Sequence, residues 1–328
     1  VTKRTEWLLS GAALLICLGL FAMPASCGAP SGTPRFLSIA TGGVGGVYYP
    51  YGGAVARLVS AHVPGVQATA EVTGASVDNL RLLQQGRVDL AFTLADTLAE
   101  ARAGTGPFAD TGPVESARVL AVLYTNYTHI VVGEGSGIAS VADLRGRVVS
   151  VGSPGSGTEL IADRVLRAAG LDPRRDITRH ALGVAESAGA LKDGKLDAFI
   201  WSGGVPTPSV QDVAATPGAR VALVPQTDVL AALQREYPPG LYFPATIPAG
   251  VYRGVDRDTP VVGVTNLLVA AATLDDDLTR DIVRVLFEHK AELEAAHPEG
   301  RHLERPTSLD GTPAPFHPGA VAFYRGSS

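Results

Sequence analysis

The chain has 328 residues, of which 46% are hydrophobic and 18% charged, with a formal net charge of −5. Such an apolar fraction excludes intrinsic disorder, and the length suits one large domain or two lobes of average size. Slight acidity leaves no basic footprint, which argues against nucleic acid as a partner. Both cysteines, Cys17 and Cys27, fall in the first 27 residues, so the body beyond them has no disulfide, Cys-based zinc site or catalytic thiol.

Lys3 and Arg4 precede an apolar stretch from Leu8 to Phe21, about 14 residues, which suits a signal-peptide core better than a spanning helix. Met23-Pro24-Ala25-Ser26-Cys27-Gly28 follows, with the small residues before cysteine that mark a bacterial lipobox, although Pro24 replaces the usual aliphatic residue. Three readings stand: a cleaved lipoprotein signal over residues 1–26 with Cys27 lipidated, a cleaved ordinary export signal, or an uncleaved anchor. Each puts the body outside the cytoplasmic membrane. Residues 27–34 then form a short flexible tether.

From Arg35 onward, short apolar runs alternate with helical patterns, which predicts an α/β fold. A strand over 36–41 leads through the Gly-rich turn Gly42–Gly46 into a helix over 50–62, whose buried stripe is Ala54, Val55, Leu58 and Val59. A strand over 68–72, the turn Thr73-Gly74-Ala75-Ser76 and a further helix follow, with Gly86-Arg-Val-Asp89 leading into the strand Leu90–Leu94. The pattern then recurs. Val148–Gly152 reads as a strand, residues 153–157 as a turn and 158–169 as a helix, and Gly194-Lys-Leu-Asp197 repeats the spacing of Gly86 and Asp89 before another strand. Two instances fit two similar lobes rather than a solenoid. The expected organisation is a first lobe over 35–123, a second over 124–218, and a return to the first lobe over 219–328. The crossing is expected as strands either side of residues 124–128. Near the C-terminus one helical stripe is expected from Leu278 through His289 to Leu293, ending at His297-Pro298.

Signatures of catalysis and cofactor binding are missing. There is no P-loop and no G-x-S-x-G elbow, and neither Gly-rich turn keeps G-x-G-x-x-G spacing, so no cofactor is expected. The seven histidines show no metal-ligand spacing, so no metal is expected either. Three turns, 41–47, 73–76 and 152–158, each follow a strand and open a helix, where free N–H groups can hold a carboxylate or phosphate. Candidate ligand contacts are therefore Thr41, Gly43, Thr73, Gly74, Ser76, Gly155, Ser156, Gly157 and Thr158. Tyr48 reads either as core or as a cleft wall, Ser156 with Glu159 either as a capping box or as a ligand contact, and Thr97 with Glu100 matches the same box. Trp201 and Gly203 end a second-lobe strand and either line the cleft or form a turn. Arg118, Arg145 and Arg147 read as surface charges rather than a carboxylate clamp.

Thr41-Gly-Gly-Val-Gly-Gly-Val-Tyr-Tyr-Pro50, Val72-Thr-Gly-Ala-Ser-Val-Asp-Asn79, Gly152-Ser-Pro-Gly-Ser-Gly-Thr158 and Phe316-His-Pro-Gly-Ala320 together resemble the TAXI solute receptors of TRAP transporters. The resemblance implies a type II periplasmic-binding-protein-like fold, with two α/β lobes joined by a hinge and a ligand cleft between them. It also implies a small carboxylate or amino acid such as glutamate or glutamine as ligand, TRAP membrane subunits as partners, and no catalysis. Tyr48, Ser76 and the 152–158 turn match cleft motifs, and Ala75 departs from the Gly or Ser often found in its turn. Two other readings are an exported hydrolase with an atypical Ser/His centre and a sensory ligand-binding surface protein.

Overall fold

A computed structural model describes residues 34–218 and 220–326. The export segment, Cys17, Cys27 and nearly all of the tether lie outside the described residues.

The first unit runs β1 (Arg35–Ala40), α1 (Tyr48–His62), β2 (Val66–Glu71), α2 (Ser76–Gln84), β3 (Leu90–Leu94) and α3 (Ala95–Ala103). A long crossing strand, β4 (Ala117–Gly133), leads to β5 (Val148–Ser150), α4 (Gly157–Ala168), β6 (Thr178–His180), α5 (Val184–Lys192), β7 (Ala198–Gly203) and α6 (Pro208–Ala215). The chain continues through β8 (Val221–Leu223), α7 (Thr227–Glu236), β9 (Phe243–Ile247), β10 (Thr259–Ala271), α8 (Asp276–Glu288), α9 (Lys290–Ala296) and α10 (Pro318–Gly326).

The main path of the sheet is β2-β1-β3-β10-β4-β7-β5-β6. Its two ends are parallel triads, β2-β1-β3 and β7-β5-β6, each with the triad's first strand in the middle. Antiparallel β10 and β4 join them. Residues 117–127 of β4 pair with β10, and residues 127–132 pair with β7, so one strand serves both triads. This is the type II periplasmic-binding-protein arrangement of two α/β lobes. The chain after residue 219 serves both lobes. β8 pairs with the far end of β4 and β9 with the start of β10, whereas α8 packs against α1 of the first lobe.

The repeated Gly-x-x-Asp unit performs one physical task twice. Gly86 and Gly194 end their helices at positive φ, 66° and 69°, where a side chain would be strained. Asp89 then accepts the Ser38 N–H through Oδ2 at 2.8 Å while its own N–H donates to Ser38 O at 3.0 Å. Asp197 does the same to Val148, at 2.8 and 2.9 Å. Each aspartate clasps the middle strand of its triad, Asp89 within β1 and Asp197 at the start of β5.

Three local expectations change. β4 runs unbroken through residues 124–128, because Tyr124-Thr-Asn-Tyr-Thr contains no breaker and the buried Asn126 accepts a hydrogen bond from Asn266 across the sheet at 2.8 Å. The C-terminal stripe divides at His289 into α8 and α9. Thr97 is no cap, since α3 begins at Ala95 and the Thr97 N–H donates to its neighbour Asp96 at 2.7 Å. By contrast, Asp275 caps α8 by accepting the Leu278 N–H at 2.8 Å.

Candidate ligand site between the lobes

The turns that open α1, α2 and α4 meet in one small cavity of about 80 Å³. The first lobe supplies residues 42–48 and 74–76, Leu94, and Tyr124 and Asn126 of β4. The second lobe supplies Ser153, residues 156–158, the start of α5 from Gly183 to Glu186, and residues 201–203.

The lobes touch around this space. Gly155 O accepts both the Val77 and Asp78 N–H groups at 3.1 Å, and Gly45 O accepts the Ser209 N–H at 3.3 Å and its hydroxyl at 3.0 Å. Gly157 must be glycine for the same reason. A Cβ there would lie 2.7 Å from Leu94 Cδ1 and 2.8 Å from Ser76 Oγ, both in the first lobe. Beside the cavity, buried Arg164 of α4 donates to Asp96 of α3 at 3.0 Å and also to Glu100 and Tyr242. The cleft is closed.

Of the sequence-predicted contacts, Gly43, Tyr48, Gly74, Ser76, Ser156, Gly157, Thr158, Trp201 and Gly203 line the cavity. Thr41, Thr73 and Gly155 do not. Thr41 is fully buried behind the wall, donating to Glu71 O at 2.6 Å and accepting the Asn79 amide at 2.7 Å through its carbonyl. Thr73 donates to Asn79 Oδ1 at 2.6 Å, so these threonines and Asn79 brace the first-lobe turns. Gly155 is spent on the contact with α2. Sequence reasoning missed Tyr124, Asn126 and the start of α5. The crossing segment was visible, but only pairing with β10 and closure of the lobes bring these residues to the cavity.

The two helix starts differ in what they leave free. Gly155 occupies two first-turn donors of α2, the Val77 and Asp78 N–H groups, and leaves that of Ser76. At α4, Ser156 Oγ accepts the Glu159 N–H at 3.0 Å, half of the anticipated capping box, while Glu159 turns to the Gly155 N–H at 3.1 Å. The Gly157 and Thr158 N–H groups have no acceptor among the described residues and sit at the positive end of the α4 dipole. Ser76 Oγ accepts the Leu94 N–H at 3.2 Å and Thr158 Oγ1 the Ser202 N–H at 3.2 Å, so each hydroxyl still has a proton to donate. Ala75, just before α2, has φ 79° and ψ −147°, a conformation natural to glycine.

Deeper in, the Tyr48, Tyr124 and Ser202 hydroxyls and Asn266 Oδ1 are buried without a hydrogen bond of good geometry, Tyr48 lying near Ser76 and Asn266 and Tyr124 near Asn266. Burial holds both phenols well above the usual tyrosine range, so they act as neutral donors. No lysine, arginine or histidine lines the cavity, and its one charged lining residue, Glu186, is exposed at the rim. Trp201 closes one side, with its indole N–H donating to Thr207 at 3.0 Å.

Glu299, in a single turn of 3-10 helix over residues 298–302, reaches the loop after β7 and accepts the Val205 N–H through Oε1 at 2.5 Å. Its other oxygen has no hydrogen-bond partner, and burial raises its pKa to about 7.

Two lobes closed on an enclosed cavity of main-chain and hydroxyl donors define the periplasmic-binding-protein class of folds. The chain belongs to the NMT1-like family, whose pattern matches residues 39–327. Among solved structures, a protein of Bordetella bronchiseptica RB50 superposes with a TM-score of 0.51 at 20% identity, covering 82% of this chain and 77% of that one. A putative L-cystine ABC transporter protein from Listeria monocytogenes gives 0.49 at 14% identity, covering 82% and 98%. The periplasmic aliphatic sulphonate binding protein SsuA from Escherichia coli gives 0.46 at 19% identity, covering 83% and 76%. No helix among the described residues is long and apolar enough to cross a membrane.

Proposed function

We propose that this chain is an extracytoplasmic solute receptor that closes on a small carboxylate or amino acid and delivers it to the membrane subunits of a TRAP-type transporter. The observation that carries this reading is the set of buried hydroxyls on Tyr48, Tyr124 and Ser202 at the cavity that make no hydrogen bond of good geometry, alongside free N–H groups at the start of α4. Buried polar groups are nearly always paired, so a polar ligand is their natural partner. A carboxylate fits the N–H and O–H donors, and the missing cationic side chain favours one carboxylate over two. An amino acid's ammonium would find Glu186 at the rim. The wall sets no histidine beside its serines, which favours binding over hydrolysis.

Closure would pivot on β4 near residues 124–128, the strand shared by both lobes. The four TAXI-like motifs support a TRAP partner, and Cys27 would anchor the mature protein to the membrane. Titrating ligand-free protein with amino acids, monocarboxylates and dicarboxylates should raise its melting temperature for at least one compound. No shift at millimolar concentration would reject the receptor reading. Glu186→Gln should weaken amino acids while sparing plain carboxylates. Uptake that follows an ion gradient would support the TRAP partner, whereas dependence on ATP would point to an ABC system. Replacing Cys27 with serine should release the protein from membranes.

A further inference from the structure

We propose that His62, His289 and Glu292 form a binding site for a divalent transition-metal ion on the outer face of the first lobe, away from the ligand cavity. One ligand atom from each side chain lies within 4.8 Å of the other two. The rings of His62 and His289 stack with centroids 3.7 Å apart and planes 21° from parallel, and His289 Nδ1 lies 3.1 Å from Glu292 Oε1. His62 ends α1 and His289 ends α8, so two helix C-termini bring their negative dipole ends to one place. Glu292, three residues beyond His289 in the first turn of α9, adds a full negative charge. The two helix C-termini and the Glu292 carboxylate favour a cation, against the positive end of α9 that begins at His289.

The donor set narrows which cation. Two imidazoles and one carboxylate suit Zn²⁺ and its neighbours rather than Mg²⁺ or Ca²⁺, which prefer oxygen ligands throughout. With metal–ligand distances of roughly 2.0–2.2 Å, the three donors of a tetrahedral ion stand roughly 3.3 Å apart. Reaching that spacing takes up to about 1.5 Å of closure, within the freedom of side chains at least partly exposed to solvent. The fourth position would be open to water. His62 lies far from His289 and Glu292 in sequence, so no spacing motif could reveal the site. The packing of α1 against α8 and α9 creates it. An ion held there would staple the end of α1 to the α8–α9 junction.

The test is a Zn²⁺ titration of the tag-free full chain by calorimetry, with Co²⁺ absorption as a second readout. One saturable equivalent that raises the melting temperature is expected, and His62→Ala and His289→Ala should each weaken it at least tenfold. Matching apo melting temperatures would show that the variants are folded. His62→Ala and Glu292→Gln suffice should His289→Ala prove unstable. Lack of saturable binding, or binding of equal affinity in the His62→Ala/His289→Ala double variant, would overturn the proposal. The latter result would assign the metal to other groups, the two cysteines included.

Discussion

The starts of α2 and α4 follow the same local recipe yet end in different chemical states. Each is a strand, a glycine-containing turn and a helix start at the cavity. Two donors of α2, at Val77 and Asp78, are taken by the Gly155 carbonyl of the opposite lobe, whereas Gly157 and Thr158 of α4 keep theirs. One helix start therefore serves as the clasp between lobes and the other as the anion seat. The Gly-x-x-Asp units behind them are equivalent, with Asp89 and Asp197 making the same pair of bonds to their strands. The repeated pattern keeps the same internal scaffold in both lobes and differs where the lobes meet.

The largest expected effect comes from spoiling the meeting point. Gly157→Ala would set a Cβ against Leu94 and Ser76, keep the lobes from closing fully, and lower ligand affinity at least a hundredfold, about 3 kcal/mol. Calorimetry with the ligand found by screening measures this, and affinity within a factor of three of wild type would remove the asymmetry.

Glu299 holds the second-lobe loop from the first-lobe side, and its effect is read through pH. Burial raises its pKa from 4.5 to about 7, so the folded state binds the proton more tightly than the unfolded chain. Its contribution to stability is full below pH 4.5 and is lost as pH rises through 7, up to roughly 3 kcal/mol. His129 acts in the opposite sense at lower pH, because burial depresses its pKa to about 4 and stability falls as pH drops below 6.5. Comparing melting temperatures of wild type and Glu299→Gln between pH 5 and 8 isolates the glutamate. The variant, which keeps an acceptor for the Val205 N–H, should show the flatter profile.

A smaller effect probes the scaffold. Asp89→Ala and Asp197→Ala each leave a strand N–H without its carboxylate partner, and each should cost about 2 kcal/mol in denaturant unfolding. Costs differing by more than a factor of two would break the equivalence of the units. Smallest is Ala75→Gly, which relieves a glycine-type conformation and should stabilise the protein by about 1 kcal/mol after the entropy cost of glycine. A loss of stability would mean that the Ala75 methyl group contributes more through packing than its backbone costs.

Much of the scaffold was legible in the chain. The α/β alternation, the repeated Gly-x-x-Asp unit and the three turns depend on local rules: helix stops at glycine, apolar periodicity, and turns that follow strands. Nine of the twelve suggested contact residues line the cavity, because turn residues at helix starts reach a cleft wherever the lobes close on them. Thr41, Thr73 and Gly155 could not be separated from these by sequence. Their side chain or carbonyl finds a partner within the protein, and that partner is settled only by packing.

What the sequence determined by itself is therefore local: which segments form strands and helices, where each turn must contain glycine, and that no clustered catalytic signature exists. Tertiary structure alone decided the rest. It made β4 common to both lobes, spent the Val77 and Asp78 donors of α2 while sparing those of Gly157 and Thr158, and brought Tyr124, Asn126 and Glu186 to the cavity. It also set His62 against His289. These outcomes depend on contacts between residues far apart in the chain, whose geometry follows from how sheets pair and lobes close rather than from any spacing of neighbours.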